Sequence, residues 1–321
     1  MTDVITYLMP IETTARELDY KLVLAALLKA PHRQFLFFRP DLGPAMVRLT
    51  RAGVWVGQNI RTRTSSGDDY ARYRQMKAAG FAVVYIDEEG AIYPGDEDTW
   101  ARFLRQRLDP TMLADDDILL AWGTFQSDLW RAEAGPLRAR IVDSGHPRFD
   151  LCRPPYARLY DDESARLRRE HGRFVLINTN FAWANFVGGL GGLFNRRDGY
   201  QPDDVDKRLE FVGSWRRALT SVGEFVGLAH RLAARFPDTR FVVRPHPVEN
   251  HDVYREVLAG VPNLLVRHEG SVIPWLRAAA AVIHNGCTTA LESHLAGTTA
   301  LAFCPPSIGD GDSWVPNLFS L

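Results

Sequence analysis

Residues 281–303, AVIHNGCTTALESHLAGTTALAF, read as a buried strand, a turn, a helix start and a second strand. The apolar run 281–283 is broken by His284-Asn285-Gly286. Thr288 and Thr289 then stand where a helix begins, offering hydroxyls and free backbone N–H groups to an anion. The helix expected over 288–296 stops at Gly297, a residue suited to a helix C-terminus, and 299–303 is apolar again. A strand–helix–strand unit with its polar residues gathered at one end belongs to a parallel, helix-covered sheet.

Upstream, the β-rich run Phe241-Val242-Val243 leads into Arg244-Pro245-His246-Pro247, a second polar strand end. Ligands of open parallel sheets bind outside the carboxyl ends of the strands, so these two turns belong to one crevice. Arg244 and His246 supply donors there, and the two prolines stiffen the turn and keep a helix from starting. A third polar strand end, Asn178-Thr179-Asn180, follows the run 174–177, and Asn178 and Asn180 join the candidate substrate contacts.

The remaining chain repeats this alternation. Strand-like runs at 4–8, 34–38, 54–57, 82–86, 118–122 and 141–144 alternate with helical segments at 16–28, 68–79, 98–108 and 126–134. Turn residues at 145–150 and Arg153-Pro154-Pro155 interrupt the pattern, a charged helix ends near His171, and the boundary between two domains is placed at 150. After it come a glycine-rich loop (Gly188, Gly189, Gly191, Gly192), a long helix over 202–236, and strands at 241, 263, 281 and 299. The economical architecture is α/β, with two Rossmann-like domains, 1–150 and 151–321, facing each other across a central cleft. No GxGxxG follows the first strand and no GxxxxGK[ST] loop exists, so dehydrogenase and P-loop readings lose their main support.

At 321 residues, 46% of them hydrophobic, the chain can bury two cores. A formal net charge of −1, with both signs interspersed, points to neither a nucleic-acid partner nor a polybasic membrane face. Cys152, Cys287 and Cys304 lack metal-ligand spacing and do not form a disulfide framework. With no signal-peptide pattern and no apolar run of about eighteen residues, the expected location is the cytoplasm. Peripheral docking at the inner membrane through a surface patch stays compatible with that.

The acidic turn Asp87-Glu88-Glu89-Gly90 follows the strand at 82–86, at the open end of the first sheet, where a carboxylate can take a proton from an attacking hydroxyl. Asp115-Asp116-Asp117 precedes a strand, at the opposite end, and reads as a solvated turn or cap. Glu12, Arg16 and Glu17 read as dipole and surface pairing at the first helix. Trp183, Phe186 and Phe194 read as packing, with stacking on a sugar or base as the alternative.

Taken together, DEEG at 87–90, RPHP at 244–247 and NGCTT at 285–289 resemble the D/E-D/E-G, HP and Ser/Thr motifs of bacterial sialyltransferases, polysialyltransferases and Kdo transferases of GT-B-like fold. With GHPRFD at 145–150 and HNGCTT at 284–289, the chain is also similar to a family of bacterial surface carbohydrate biosynthesis proteins. The resemblance implies transfer of a sugar, a CMP-activated keto acid such as Kdo or a nonulosonic acid, from a nucleotide donor onto a surface glycan. It makes the first domain the acceptor side and the second the nucleotide-sugar side. It implies a catalytic set of Glu88, Glu89 and His246, with His246 at the donor phosphate. Arg244, Pro247, His284, Asn285, Gly286, Thr288 and Thr289 would surround that phosphate, and Glu292 would reach a ribose hydroxyl. No metal or other cofactor enters this scheme. The base stays open among Asp87, Glu88 and Glu89, since three acidic residues precede Gly90, and Thr-Thr stands where the motif has serine. Many two-domain glycosyltransferases end with a helix crossing back to the first domain, so the chain is expected to be short at its C-terminus. The rival enzyme is a non-hydrolysing UDP-sugar 2-epimerase. The rival of another class is a non-catalytic nucleotide- or glycan-binding subunit of a polysaccharide assembly complex.

Overall fold

The computed structural model describes residues 4–58, 68–91, 93–133, 140–194, 200–308 and 315–321. The chain divides into two compact units: unit 1 is Met1–Gly90 with Asp96–Asp150, and unit 2 is Ala91–Gly95 with Leu151–Leu321. Residue 134, where the sequence ends a helix, lies outside the described residues.

Unit 1 carries strands β1 (Ile5–Pro10), β2 (Arg33–Phe38), β3 (Gly53–Val56), β4 (Phe81–Ile86), β5 (Ile118–Ala121) and β6 (Arg140–Asp143). Its helices are α1 (Thr14–Leu27), α2 (Gly43–Thr50), α3 (Asp68–Ala78), α4 (Glu97–Arg107), α5 (Thr124–Glu133) and α6 (Pro147–Asp150). All strand pairs are parallel, in the order β2-β1-β3-β4-β5-β6. β4, FAVVYI, shows why such a sheet is covered on both faces: successive side chains point to opposite sides, and both sides are apolar. Phe81, Val83 and Tyr85 enter one core with Leu8, Trp55 and Trp130, while Val84 and Ile86 enter another with Met9 and Val56. α2 has no counterpart among the helical segments expected from the sequence; Pro44 occupies the first turn of the helix, where its missing N–H has no bond to make.

Unit 2 carries β7 (Phe174–Asn178), β8 (Arg240–Arg244), β9 (Leu264–Val266), β10 (Ala281–His284) and β11 (Ala300–Ala302). Helices α7 (Asp161–His171), α8 (Gly189–Leu193), α9 (Val205–Arg235), α10 (His251–Val257), α11 (Ile273–Ala278) and α12 (Thr289–Leu295) complete it. The sheet is again parallel, in the order β11-β10-β7-β8-β9. In β7, Ile177 joins Phe225, Ala229 and Ala233 of α9 on one face, whereas Phe174 and Leu176 join Leu167 of α7 and Trp275 and Leu276 of α11 on the other. Burying each such large apolar side chain stabilises the unit by roughly 1.5–3 kcal/mol.

In each sheet the strand order reverses once. In unit 1 the chain leaves β1 for β2 and returns to β1's other side as β3; in unit 2 it leaves β7 for β8 and β9 and returns as β10. The carboxyl ends of β1 with β3, and of β7 with β10, are therefore the places where loops part and a crevice can form.

Candidate functional site

The acidic turn sits at the carboxyl edge of the unit 1 sheet, directly after β4, and its three carboxylates have three different fates. Asp87 accepts a two-point ion pair from Arg107 of α4, Nε at 2.7 and 2.9 Å and Nη2 at 2.7 Å. The same carboxylate accepts the Glu89 N–H at 3.0 Å, so it closes the turn. Glu88 points inward and is 0% exposed. The Tyr20 hydroxyl donates to it, Lys21 Nζ lies 3.6 Å from Oε1, and His146 Nε2 lies 3.3 Å from Oε2. Both atoms of that last pair are buried, with no other partner among the described residues. Glu89 is the accessible carboxylate, its side chain 21% exposed, and it pairs with Arg16. Gly90 lies against Trp122: a Cβ there would come within 2.3 Å of the indole, whose N–H donates to the Asp87 carbonyl.

Charges in this cluster settle by burial and pairing. Burial alone would raise the Glu88 carboxyl, but His146, Lys21 and Arg148 outweigh it and hold the group well below the usual carboxylate range. Burial pushes the His146 imidazole below its ordinary value in spite of Glu88. His146 Nδ1 accepts the Arg148 N–H at 3.1 Å, which places the ring proton on Nε2, facing Glu88. Lys21 donates to Glu17 Oε2 at 2.8 Å and to the Pro10 carbonyl at 2.5 Å. Glu17 turns back to accept the N–H groups of Thr13 and Glu12 at 2.9 and 3.2 Å. Glu17 is thus buried, not in surface pairing as the sequence suggests, and Lys21 is buried with it, because α1 begins at the switch point and its first two turns face the sheet edge. Asp117 also departs from the solvated turn expected of it: it is 0% exposed and accepts from Tyr73, Val83 N and Lys77.

In unit 2 the loops after β7, β8 and β10 hold the other candidates. Asn178, at the end of β7, pairs in register with Arg244 of β8, one position beyond the Ile177–Ile283 pair with β10. The residue is 4% exposed, and neither its side-chain oxygen nor its side-chain nitrogen finds a partner among the described residues. Asn180 is exposed. Arg244 directs its guanidinium to the carbonyls of Glu269 at 3.0 Å and Gly270 at 2.7 Å, above the Trp275 ring, so two of its donors act inside the protein. Burial pushes it down to about 10, with Glu269 and Glu292 opposing. His246 and Pro247 are half-buried. His246 Nδ1 accepts the Val248 N–H at 3.4 Å, which puts its proton on Nε2.

The β10 turn is more enclosed than its sequence implies. His284 is fully buried, its Nε2 2.7 Å from Ser320 Oγ, and burial pushes it down to about 4. Asn285 Nδ2 donates to the Phe303 carbonyl at 2.8 Å, and the Gly286 N–H donates to Asn317 Oδ1 at 2.9 Å. Gly286 has φ 55°, a left-handed backbone that accounts for glycine at this turn. Thr288 makes no side-chain cap and α12 is only 7 residues long. Thr289 Oγ1 and His284 Nδ1 are buried without a partner among the described residues. Glu292 is buried, within electrostatic range of Arg244. Trp183 and Phe194 pack on Phe211.

Two groups escaped sequence reading. Tyr20, Lys21 and His146 join Glu88 only because α1 and the β6 loop converge on the end of β4. Glu249 lies two residues past the RPHP run and collects donors from two loops, and only the acidic residue's nearness to a proline-rich strand end hints at it.

No protein-family model matches the sequence, and no curated protein matches it. Solved structures do. The chain is similar to the UDP-GlcNAc 2-epimerase of Neisseria meningitidis bound to UDP-GlcNAc, at TM-score 0.51 and 11% identity over 95% of this chain and 84% of that one. It is similar to the Methanocaldococcus jannaschii UDP-GlcNAc 2-epimerase in complex with UDP-GlcNAc and UDP, at TM-score 0.56 and 8% identity, over 93% and 83%. It is also similar to the wall teichoic acid polymerase TagF, at TM-score 0.53 and 10% identity, over 94% and 70%. At such identities the likeness shows the fold: two Rossmann-like domains of GT-B type. Among the described residues no helix is long and apolar enough to cross a membrane.

Proposed function

We propose that this chain is a nucleotide-sugar-dependent glycosyltransferase whose unit 2 binds the donor and whose unit 1 serves the acceptor. The observation that carries this reading is the set of buried polar atoms at the switch point of the unit 2 sheet, on Asn178, His284 and Thr289, that have no partner among the described residues. A buried polar group left unpaired costs roughly 1–3 kcal/mol, so polar atoms gathered at a strand-end crevice suit a polar ligand. His246, half-buried with its proton on Nε2, faces the donor phosphate, and Thr288, Thr289 and Asn180 add donors.

The donor is a CMP-activated keto acid, Kdo or a nonulosonic acid, and the acceptor a bacterial surface glycan; the order of the DEEG, RPHP and NGCTT motifs supports this choice. The acceptor hydroxyl attacks the anomeric carbon, the bond from that carbon to the phosphate oxygen breaks, and CMP departs with the electron pair. His246 offsets the charge appearing on the phosphate. The proton passes to Glu89, since Glu88 is enclosed and held ionised by its cations. No metal enters these steps. The enzyme works in the cytoplasm, and peripheral docking at the inner membrane is compatible with that.

A UDP-sugar 2-epimerase is the second reading, supported by fold neighbours solved with UDP-GlcNAc. Titration calorimetry with CMP, UDP, GDP and ADP separates the two. Selective CMP binding that disappears in His246→Ala is the expected result. UDP selectivity moves the assignment to the epimerase or a UDP-sugar transferase, and binding of none of the four refutes the donor site.

A further inference from the structure

One carboxylate outside the motifs ties two of the candidate loops together. Glu249 is 1% exposed. Its Oε2 accepts the His246 N–H at 2.7 Å and the Thr179 hydroxyl, and its Oε1 accepts the Phe181 N–H at 3.2 Å and the Tyr254 hydroxyl at 2.7 Å. Its own N–H donates to the His246 carbonyl at 3.0 Å. The loop after β7 and the loop after β8 are thereby fastened to one side chain. The other face of the second loop is held as well: His268 Nδ1 lies 2.8 Å from the Pro245 carbonyl and His251 Nε2 lies 3.1 Å from the His246 carbonyl.

We propose that Glu249 is the positioning residue of the donor site, fixing His246 and the Thr179–Phe181 segment in the geometry that receives a nucleotide phosphate. This rests on the donor reading above. All four partners of the carboxylate are donors, and two are backbone N–H groups that cannot turn around to accept. A carboxylate satisfies all four; an amide must aim its NH2 at either His246 N–H or Phe181 N–H. Burial raises the Glu249 carboxyl above its ordinary value, while its four partners favour the ionised form and oppose that shift. That is intelligible if an acceptor with four lone-pair sites is what the loops require.

The test compares the full-length wild-type chain with Glu249→Gln, Glu249→Asp and a control, Asn263→Ala. Asn263 anchors the end of α9 at the amino-terminal side of the sheet, donating to Ala233, Phe236 and Thr239, and touches neither loop. The probes are CMP and UDP. Glu249→Gln is expected to weaken the bound nucleotide about tenfold or more, the scale of a lost hydrogen bond to a charged group. Glu249→Asp is expected to retain part of the affinity, and Asn263→Ala to lower the melting temperature with affinity intact. Wild-type affinity in Glu249→Gln overturns the proposal, as does a loss in both Glu249→Gln and Asn263→Ala that tracks their stability. If Glu249→Gln does not fold, Glu249→Asp is judged by the same two criteria. If the wild-type chain binds neither probe, the donor reading fails by itself, and amide hydrogen exchange decides the positioning role. Faster exchange at His246 and Phe181 in Glu249→Gln than in Asn263→Ala supports it, and equal exchange overturns it.

Discussion

Acidification should weaken unit 2 through His284, and the size of the effect follows from burial. The ring is fully buried at the end of β10, and burial pushes it from 6.5 in the unfolded chain down to about 4 in the fold. Between those values the unfolded chain binds a proton that the native state refuses, so stability rises with pH across the interval. The contribution is fully present above about pH 6.5, is lost as pH falls toward about 4, and changes no further below that. The gap between 6.5 and about 4, at about 1.4 kcal/mol per pH unit, amounts to about 3 kcal/mol, of which about 2 is already lost at about pH 5. The assay is urea unfolding from about pH 7.5 to about 5 for the wild-type chain and His284→Gln, whose amide reaches Ser320 Oγ but does not titrate. His146, His171 and His268, also pushed down by burial, contribute equally to both proteins and cancel in the difference. The wild-type chain should lose about 2 kcal/mol more than the variant over this range. Parallel pH profiles would refute the assignment of a buried neutral imidazole.

The turn in unit 1 makes its own predictions. Glu88→Gln removes a counter-charge from the enclosed Lys21 and Arg148 and should cost about 3 kcal/mol in denaturant unfolding. Glu89→Gln, at a partly exposed ion pair with Arg16, should leave stability within about 1 kcal/mol while abolishing turnover; full activity would sink its role as base. Gly90→Ala should destabilise by about 1–3 kcal/mol through the clash with Trp122, and a melting temperature equal to wild type would show that the indole yields freely.

Much of the fold was legible in the chain. Each of the eleven described strands coincides with an apolar or β-rich run in the sequence, and the alternation with helices implies parallel order. That part was readable because buried parallel strands need apolar side chains on both faces, which is a local property. The site was only half legible. Positions after strand ends could be named, since topology sends ligands there, yet neither the inward turn of Glu88 nor the internal bonds of Arg244 has a signature in spacing. Glu17 and Lys21 carry an ordinary surface i,i+4 pattern, and nothing local announces that this pair is buried.

By itself the sequence determined the two parallel sheets and where their strands end, because hydrophobic period and turn residues act over a few neighbours along the chain. Tertiary structure alone decided that Asp87 and Glu88 are enclosed and Glu89 is accessible. It also joined Glu249 to two loops and left the side-chain polar atoms of Asn178 and Thr289 without partners among the described residues. These depend on which distant side chains arrive at one sheet edge, and the energy of a buried charge or polar group is set by those arrivals rather than by its neighbours in sequence.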